Sequence, residues 1–84
     1  PASNQINVAV DASEHYAVNG KPTKFNGVDT LADALHKAAG KQSDPTIIIN
    51  ADAKATHQSV VNIMEAARVA GYGRITFTTQ SQDK

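Results

Sequence analysis

Three histidines are the side chains in this sequence best suited to hold a metal or to move a proton near neutral pH, and their spacing favours neither. His15, His36 and His57 fall in an expected strand, a helix's last turn and a helix's start. None is followed by a second histidine or a carboxylate two or four residues on, the offsets that preform a metal site. Ser13 and Ser59 lack the neighbours that activate a nucleophile. No pair of carboxylates is placed for acid–base work. The chain offers no catalytic constellation, no metal site and no cofactor motif, so an enzyme is the least favoured class.

What remains is chemistry of contact. Asp52-Ala53-Lys54 follows a strand and precedes a helix, a position where α/β proteins gather ligands. Asp52 there either meets a partner or bonds to loop backbone and sets the start of the helix. The amides of the Thr56–Ser59 turn could hold an anion, but no glycine-rich loop leads into them. Arg68 and Arg74 flank the Gly71-Tyr72-Gly73 turn, where they either clamp an acidic partner or stay solvated. The residues singled out for partner contact are Asn50, Asp52, Lys54, His57 and Arg74.

The elements that must position these residues are written in the hydrophobic pattern. Ile6, Val8 and Val10 alternate with Asn7 and Ala9, which predicts a half-buried strand. Asp11–Glu14 is a polar turn, and His15–Val18 a return strand with Tyr16 and Val18 facing the core. Asn19-Gly20 predicts a tight turn. Pro22 allows at most a short edge piece after it. Val28, Leu31, Leu35 and Ala38 recur at helical spacing, predicting a helix over 28–39 capped by Asn26 or Asp29 and stopped by Gly40. Thr46–Asn50 is apolar on both faces, as a central strand should be. Thr56 is placed to cap a second helix whose stripe reads Val60, Ile63, Met64 and Ala67, with Gly71 as its stop and Tyr72 packing behind it. Ile75, Phe77 and Thr79 alternate as the last strand. Met64 and Phe77 read as core residues.

The order strand, strand, helix, strand, helix, strand predicts an α+β, two-layer fold with both helices on one face of a small mixed sheet. The strand–helix–strand unit from 46 to 79 should be parallel with a right-handed crossover, the first two strands antiparallel. One face of the sheet and at least one edge are then left uncovered. Residues 1–84 make a single domain with flexible tails at 1–5 and 80–84. At this length and 40% apolar content, with two Phe, two Tyr and no Trp, the core is thin. Eight basic residues balance eight acidic ones without runs, so nothing points to nucleic acid or to an anionic membrane surface. The absence of cysteine excludes disulfides and thiolate metal sites. The chain holds no apolar run of membrane-spanning length, and its start at Pro1 rather than Met is expected of a processed or truncated piece.

Taken together, Ile47–Ile49, Ala51-Asp52, Val60-Val61, Ile63-Met64-Glu65, Ala70-Gly71 and Arg74-Ile75 resemble, in order and spacing, the periplasmic domain of the ExbD/TolR family. Tyr16-Ala17-Val18-Asn19-Gly20 is similar to that family's Tyr/Phe-x-Val/Ile-Asn-Gly hairpin. Two departures stand out. The basic residue of the usual Ala-Asp-Lys is shifted by one, to Lys54. Asn50-Ala51-Asp52-Ala53 stands where TolR-like chains tend to carry Gly-Gly-Ala-Lys, which favours the ExbD type.

The resemblance implies an accessory subunit of a proton-driven inner-membrane motor of a Gram-negative bacterium. Its partners would be an ExbB-like membrane subunit and a TonB-like protein that energises outer-membrane uptake of siderophores or other nutrients. A single membrane helix upstream, outside this chain, would carry the proton-conducting aspartate and be the domain's one tie to the membrane. The domain itself would sit in the periplasm, form a homodimer and accept a disordered peptide by strand addition. The rival readings are a TolR-type domain that engages peptidoglycan and a small soluble ligand-binding module with its pocket at the Asp52 loop.

Overall fold

The computed structural model describes residues 4–42 and 44–79. Most of the two expected tails, residues 1–3 and 80–84, lies outside the described residues, whereas Gln5 already belongs to the first strand. Seven elements follow in chain order: β1 (Gln5–Val10), β2 (Tyr16–Val18), β3 (Lys21–Thr23), α1 (Val28–Ala39), β4 (Thr46–Ala51), α2 (His57–Ala70) and β5 (Arg74–Thr79). The α+β expectation holds, with five strands in the sheet where four were expected. The added one is β3. Asn19 and Gly20 both take positive φ, 52° and 83°, so the chain reverses in two residues and Lys21 pairs with Val18. Pro22, which has no N–H to give, is tolerated there because β3 is the sheet's outer edge.

The sheet order is β3-β2-β1-β4-β5. Antiparallel pairing joins β1 to β2 and β2 to β3, while β1 with β4 and β4 with β5 are parallel. Period two then sorts the side chains. Ile6, Val8, Val10, Tyr16, Val18, Ile47 and Ile49 are buried under the helices, at 5% exposure or less. Asn7, Ala9, Ala17, Ile48 and Asn50 face the other way, and no element among the described residues covers that face.

Leu31, Ala32, Leu35 and Ala39 form the buried stripe of α1. No side chain caps it: Gly27, at φ 109°, holds the N-cap position, which corrects the expectation for Asn26 or Asp29. Asn26 stands one residue too far out, and its backbone carbonyl instead accepts the Thr30 hydroxyl at 3.2 Å. In α2 the Thr56 hydroxyl caps as expected, accepting the Ser59 N–H at 3.1 Å. At the other end Gly71, at φ 91°, lets the Tyr72 N–H reach the Ala67 carbonyl at 2.8 Å and its own N–H reach Arg68 at 3.0 Å, the two bonds of a Schellman stop. Tyr72 is buried behind it.

The second helix is rotated from its expected stripe. Ser59, Ile63, Ala66, Ala67 and Ala70 point inward, and Met64 is 39% exposed. Small residues on this face suit its close packing beside α1, which leaves the bulky Met64 outside. Phe77 is 50% exposed as well, against expectation. It shares the helix-side face of β5 with Ile75, across from Ile49, but α1 and α2 pack mainly over β1, β2 and β4, so β5 projects beyond their cover.

Candidate functional site

Parallel pairing of β1 with β4 brings the C-terminal ends of two strands together. The Asp52 N–H donates to the Val10 carbonyl at 2.9 Å, which sets Asp11 and Asp52 side by side just past the strand ends. Asp11 organises the turn into β2. Its Oδ1 accepts the N–H groups of Ser13 and His15, both at 2.9 Å, and its Oδ2 lies 3.2 Å from Nδ1 of His15. The amide donated by His15 is the main cause that holds the Asp11 carboxyl below its ordinary value; desolvation opposes it, and the His15 ring and the Ser13 amide add to the lowering. Asp52 makes the same kind of turn on its own side, its Oδ1 accepting the Lys54 N–H at 2.9 Å.

The turn between β1 and β2 is tied to α2. Glu14 takes φ 64°, a left-handed conformation that is uncommon for a residue with a side chain. Its Oε2 accepts the Thr56 hydroxyl at 3.1 Å, so the same side chain caps α2 and anchors the turn. A second tie runs from Tyr16, whose hydroxyl accepts from Asn62 at 3.2 Å and donates to the Ser59 carbonyl at 3.4 Å. Its ring also stacks on Phe25, with centroids 4.9 Å apart.

The five residues singled out for contact are not gathered into one place. Asn50 sits on the open face of β4, half-buried, and its Oδ1 accepts the Thr78 hydroxyl of β5. Asp52 lies just beyond it. These two line a depression of about 500 Å³ on the open face together with Ala9, Asp11, His15, Ala17 and Pro22. Lys54 follows in the exposed loop, and His57 is the exposed first residue of α2. Arg74 is at the opposite end of the sheet: it pairs in register with Thr46, five residues before Ala51, and its Nε donates to Asp44 at 2.8 Å. Along a strand that separation amounts to about 16 Å.

Sequence reasoning missed Asp11 and His15 as companions of Asp52. The pairing of Asp11 with His15 was there to be found by looking four residues back from the histidine as well as forward. Their nearness to Asp52 follows only from the β1–β4 pairing. His36, expected merely to suit the end of α1, also lies 3.1 Å through Nδ1 from the Tyr72 hydroxyl and edge-on to its ring, pinning α1 to the end of α2. No group of three or more His, Cys, Asp or Glu comes together as a metal site among the described residues.

The second feature of note is the outer edge of β5. Six residues long, it pairs with β4 on one side, and no strand among the described residues pairs with the other. A parallel edge strand turns alternate N–H and C=O groups outward, and Phe77 offers exposed apolar surface on its helix side. The opposite edge, β3, is blunted by its three-residue length and by Pro22. No described helix is long and apolar enough to cross a membrane.

No curated protein matches the sequence. A protein-family model described as "Biopolymer transport protein ExbD/TolR" matches residues 1–82, nearly the whole chain. The hairpin, the capped α2 and its glycine stop, on which the resemblance rests, all form as that sequence pattern requires, and the chain belongs to the ExbD/TolR family of biopolymer transport proteins.

Proposed function

We propose that this domain is the partner-docking part of an ExbD-type subunit, and that β5 is the edge on which partners add a strand. Family membership carries the coarser part of this reading: a non-enzymatic, membrane-anchored component of an envelope energy-transduction complex that serves biopolymer transport. The observation that carries the finer part is the open edge of β5 beside the half-exposed Phe77. An extended segment laid along it gains backbone hydrogen bonds, and every second side chain of that segment covers Ile75 and Phe77. Both a disordered periplasmic stretch of a TonB-like protein and a second copy of this domain meet that requirement. The thin core agrees with a domain that gains buried area by association. The ExbB-like subunit would be met through the membrane segment rather than through this sheet.

In this reading Arg74 and Asn50 stand along the docking edge, Arg74 as the first residue of β5 and Asn50 through its bond to Thr78. Lys54 and His57 are contact candidates where the chain leaves β4, and Asp52 belongs to the depression on the open face. The preference for the ExbD type over the TolR type rests on the Asn50–Ala53 sequence.

The test is an NMR titration of the domain with peptides covering the periplasmic linker of the cognate TonB-like protein, beside a pull-down on isolated peptidoglycan. Shifts concentrated in 74–79 with no peptidoglycan retention support the proposal. Retention on peptidoglycan without any response of β5 to the peptides overturns it in favour of the TolR-type role.

A further inference from the structure

The uncovered face of the sheet has a groove whose shape follows from register. Asn50, Ala9, Ala17 and Pro22 lie in one row across β4, β1, β2 and β3, in the pairs Ala9 with Asn50, Ala9 with Ala17, and Ala17 with Pro22. Just past the ends of β1 and β4, and just before β2, Asp11, Asp52 and His15 line the same depression. Two residues to the other side stand Ile48 and Asn7, paired in register. A floor of two alanines and a proline beside Asp11, His15 and Asp52 makes a depression of about 500 Å³ that runs across the strands.

Its charges are of one sign when His15 is neutral. Asp11 and Asp52 are both exposed, and no lysine or arginine pairs with either among the described residues. His15 takes up one oxygen of Asp11, while Oδ2 of Asp52 bonds to nothing among the described residues. Lys24 lies beside the neighbouring hollow with Glu14, outside this groove. Two adjacent carboxylates above an apolar floor suit the side chains that combine a long hydrocarbon stem with a cationic head.

From this complementarity we infer that the groove is a docking site for an extended, lysine- or arginine-bearing segment of another protein. The stem of a basic side chain lies over Ala9 and Ala17, and its head reaches Asp52 and Asp11. The site lies on the open face of the sheet and uses no backbone group of the outer β5 edge, so it stands or falls without that edge, although its Asn50 end touches Thr78 of β5.

The probe is the blocked peptide Lys-Ala-Lys-Ala-Lys, titrated into the isotope-labelled domain in low-salt buffer, with Glu-Ala-Glu-Ala-Glu as the control. The expected result is saturable shifts confined to Ala9, Asp11, His15, Ala17, Asn50 and Asp52, absent with the acidic peptide. In D11N/D52N, whose asparagine Oδ1 atoms still serve the two turns, affinity should fall roughly five- to tenfold. Filling the floor with A17L should weaken binding with both carboxylates in place, and unchanged shifts of Val8 and Ile49 would show that either variant is folded. Shifts of equal size with the acidic peptide, shifts centred on β5, or undiminished binding by D11N/D52N would each overturn the inference.

Discussion

Thr56→Ala removes one hydroxyl that does two things. In the wild-type domain that oxygen accepts the Ser59 N–H at 3.1 Å and donates to Glu14 Oε2 at 3.1 Å. Losing an N-cap hydroxyl costs about 1 kcal/mol, within a range of about 0.5–2. The bond to Glu14 is exposed but charge-assisted, and adds about 0.5 kcal/mol. It also helps to hold Glu14 at φ 64°, in a turn that the chain must make to bring β2 back beside β1. The expected total is about 1.5 kcal/mol, which for a domain of this size lowers Tm by roughly 6–12 °C. Urea unfolding at neutral pH reads it as a lower midpoint at unchanged slope. Thr56→Ser should keep nearly all of the stability, since the hydroxyl survives. A double-mutant cycle of Thr56→Ala with Glu14→Ala isolates the bond between the two, with a coupling of about 0.5 kcal/mol. A Thr56→Ala domain within about 0.3 kcal/mol of wild type would refute the reasoning, because an orphaned N–H at the start of α2 could not then be worth what such groups usually cost.

Three further outcomes follow from the same structure. Ile63→Ala should cost about 2–5 kcal/mol in urea unfolding and Met64→Ala under about 1, because Ile63 is fully buried and its neighbour is 39% exposed; if Ile63→Ala does not fold, Ile63→Val should still lose about 0.5–1.5 kcal/mol. The folded state holds Asp11 below its ordinary value of 3.8, so the stability it contributes is complete above that value and fades as pH falls through the lower folded one; Asp11→Asn should therefore lower stability in the neutral region, flatten the acid limb of a stability–pH curve and converge with the wild type at the lowest pH. Arg74→Ala breaks an ion pair whose side chains are 69% and 53% exposed, so thermal unfolding should register under about 1 kcal/mol at low salt and almost nothing at about 1 M salt.

Much of this fold was legible because local chemistry and global packing agree. The span of α1, the Thr56 cap, the Gly71 stop and the Asn19-Gly20 turn are each dictated within a few residues, and each formed where the sequence put it. Met64 and Phe77 were misjudged for physical reasons: apolar character marks a residue that gains from burial, but α2 turns its small residues inward and leaves Met64 outside, and no helix reaches far enough over β5 to cover Phe77. The sites were legible only in part. That Asp52 stands beyond a strand end could be read directly, but its companionship with Asp11 depends on β1 lying next to β4, a non-local pairing that no spacing encodes. Arg74 was singled out with that loop as a contact residue, yet parallel strands start at the same end of a sheet, and Arg74 starts β5 level with the first residue of β4 while Asp52 lies past the last.

The central claim is that β5 receives a partner's strand, and amide hydrogen exchange of residues 74–79 tests it most directly. In the free domain the outward-pointing amides of β5 should exchange quickly while those of β1 and β4 are protected. Addition of the TonB-derived linker peptide should then slow the β5 amides at least tenfold and leave the β3 edge unchanged. Protection that is already complete in the dilute free domain, or exchange at β5 that does not alter when a bound peptide shifts other residues, would contradict the account.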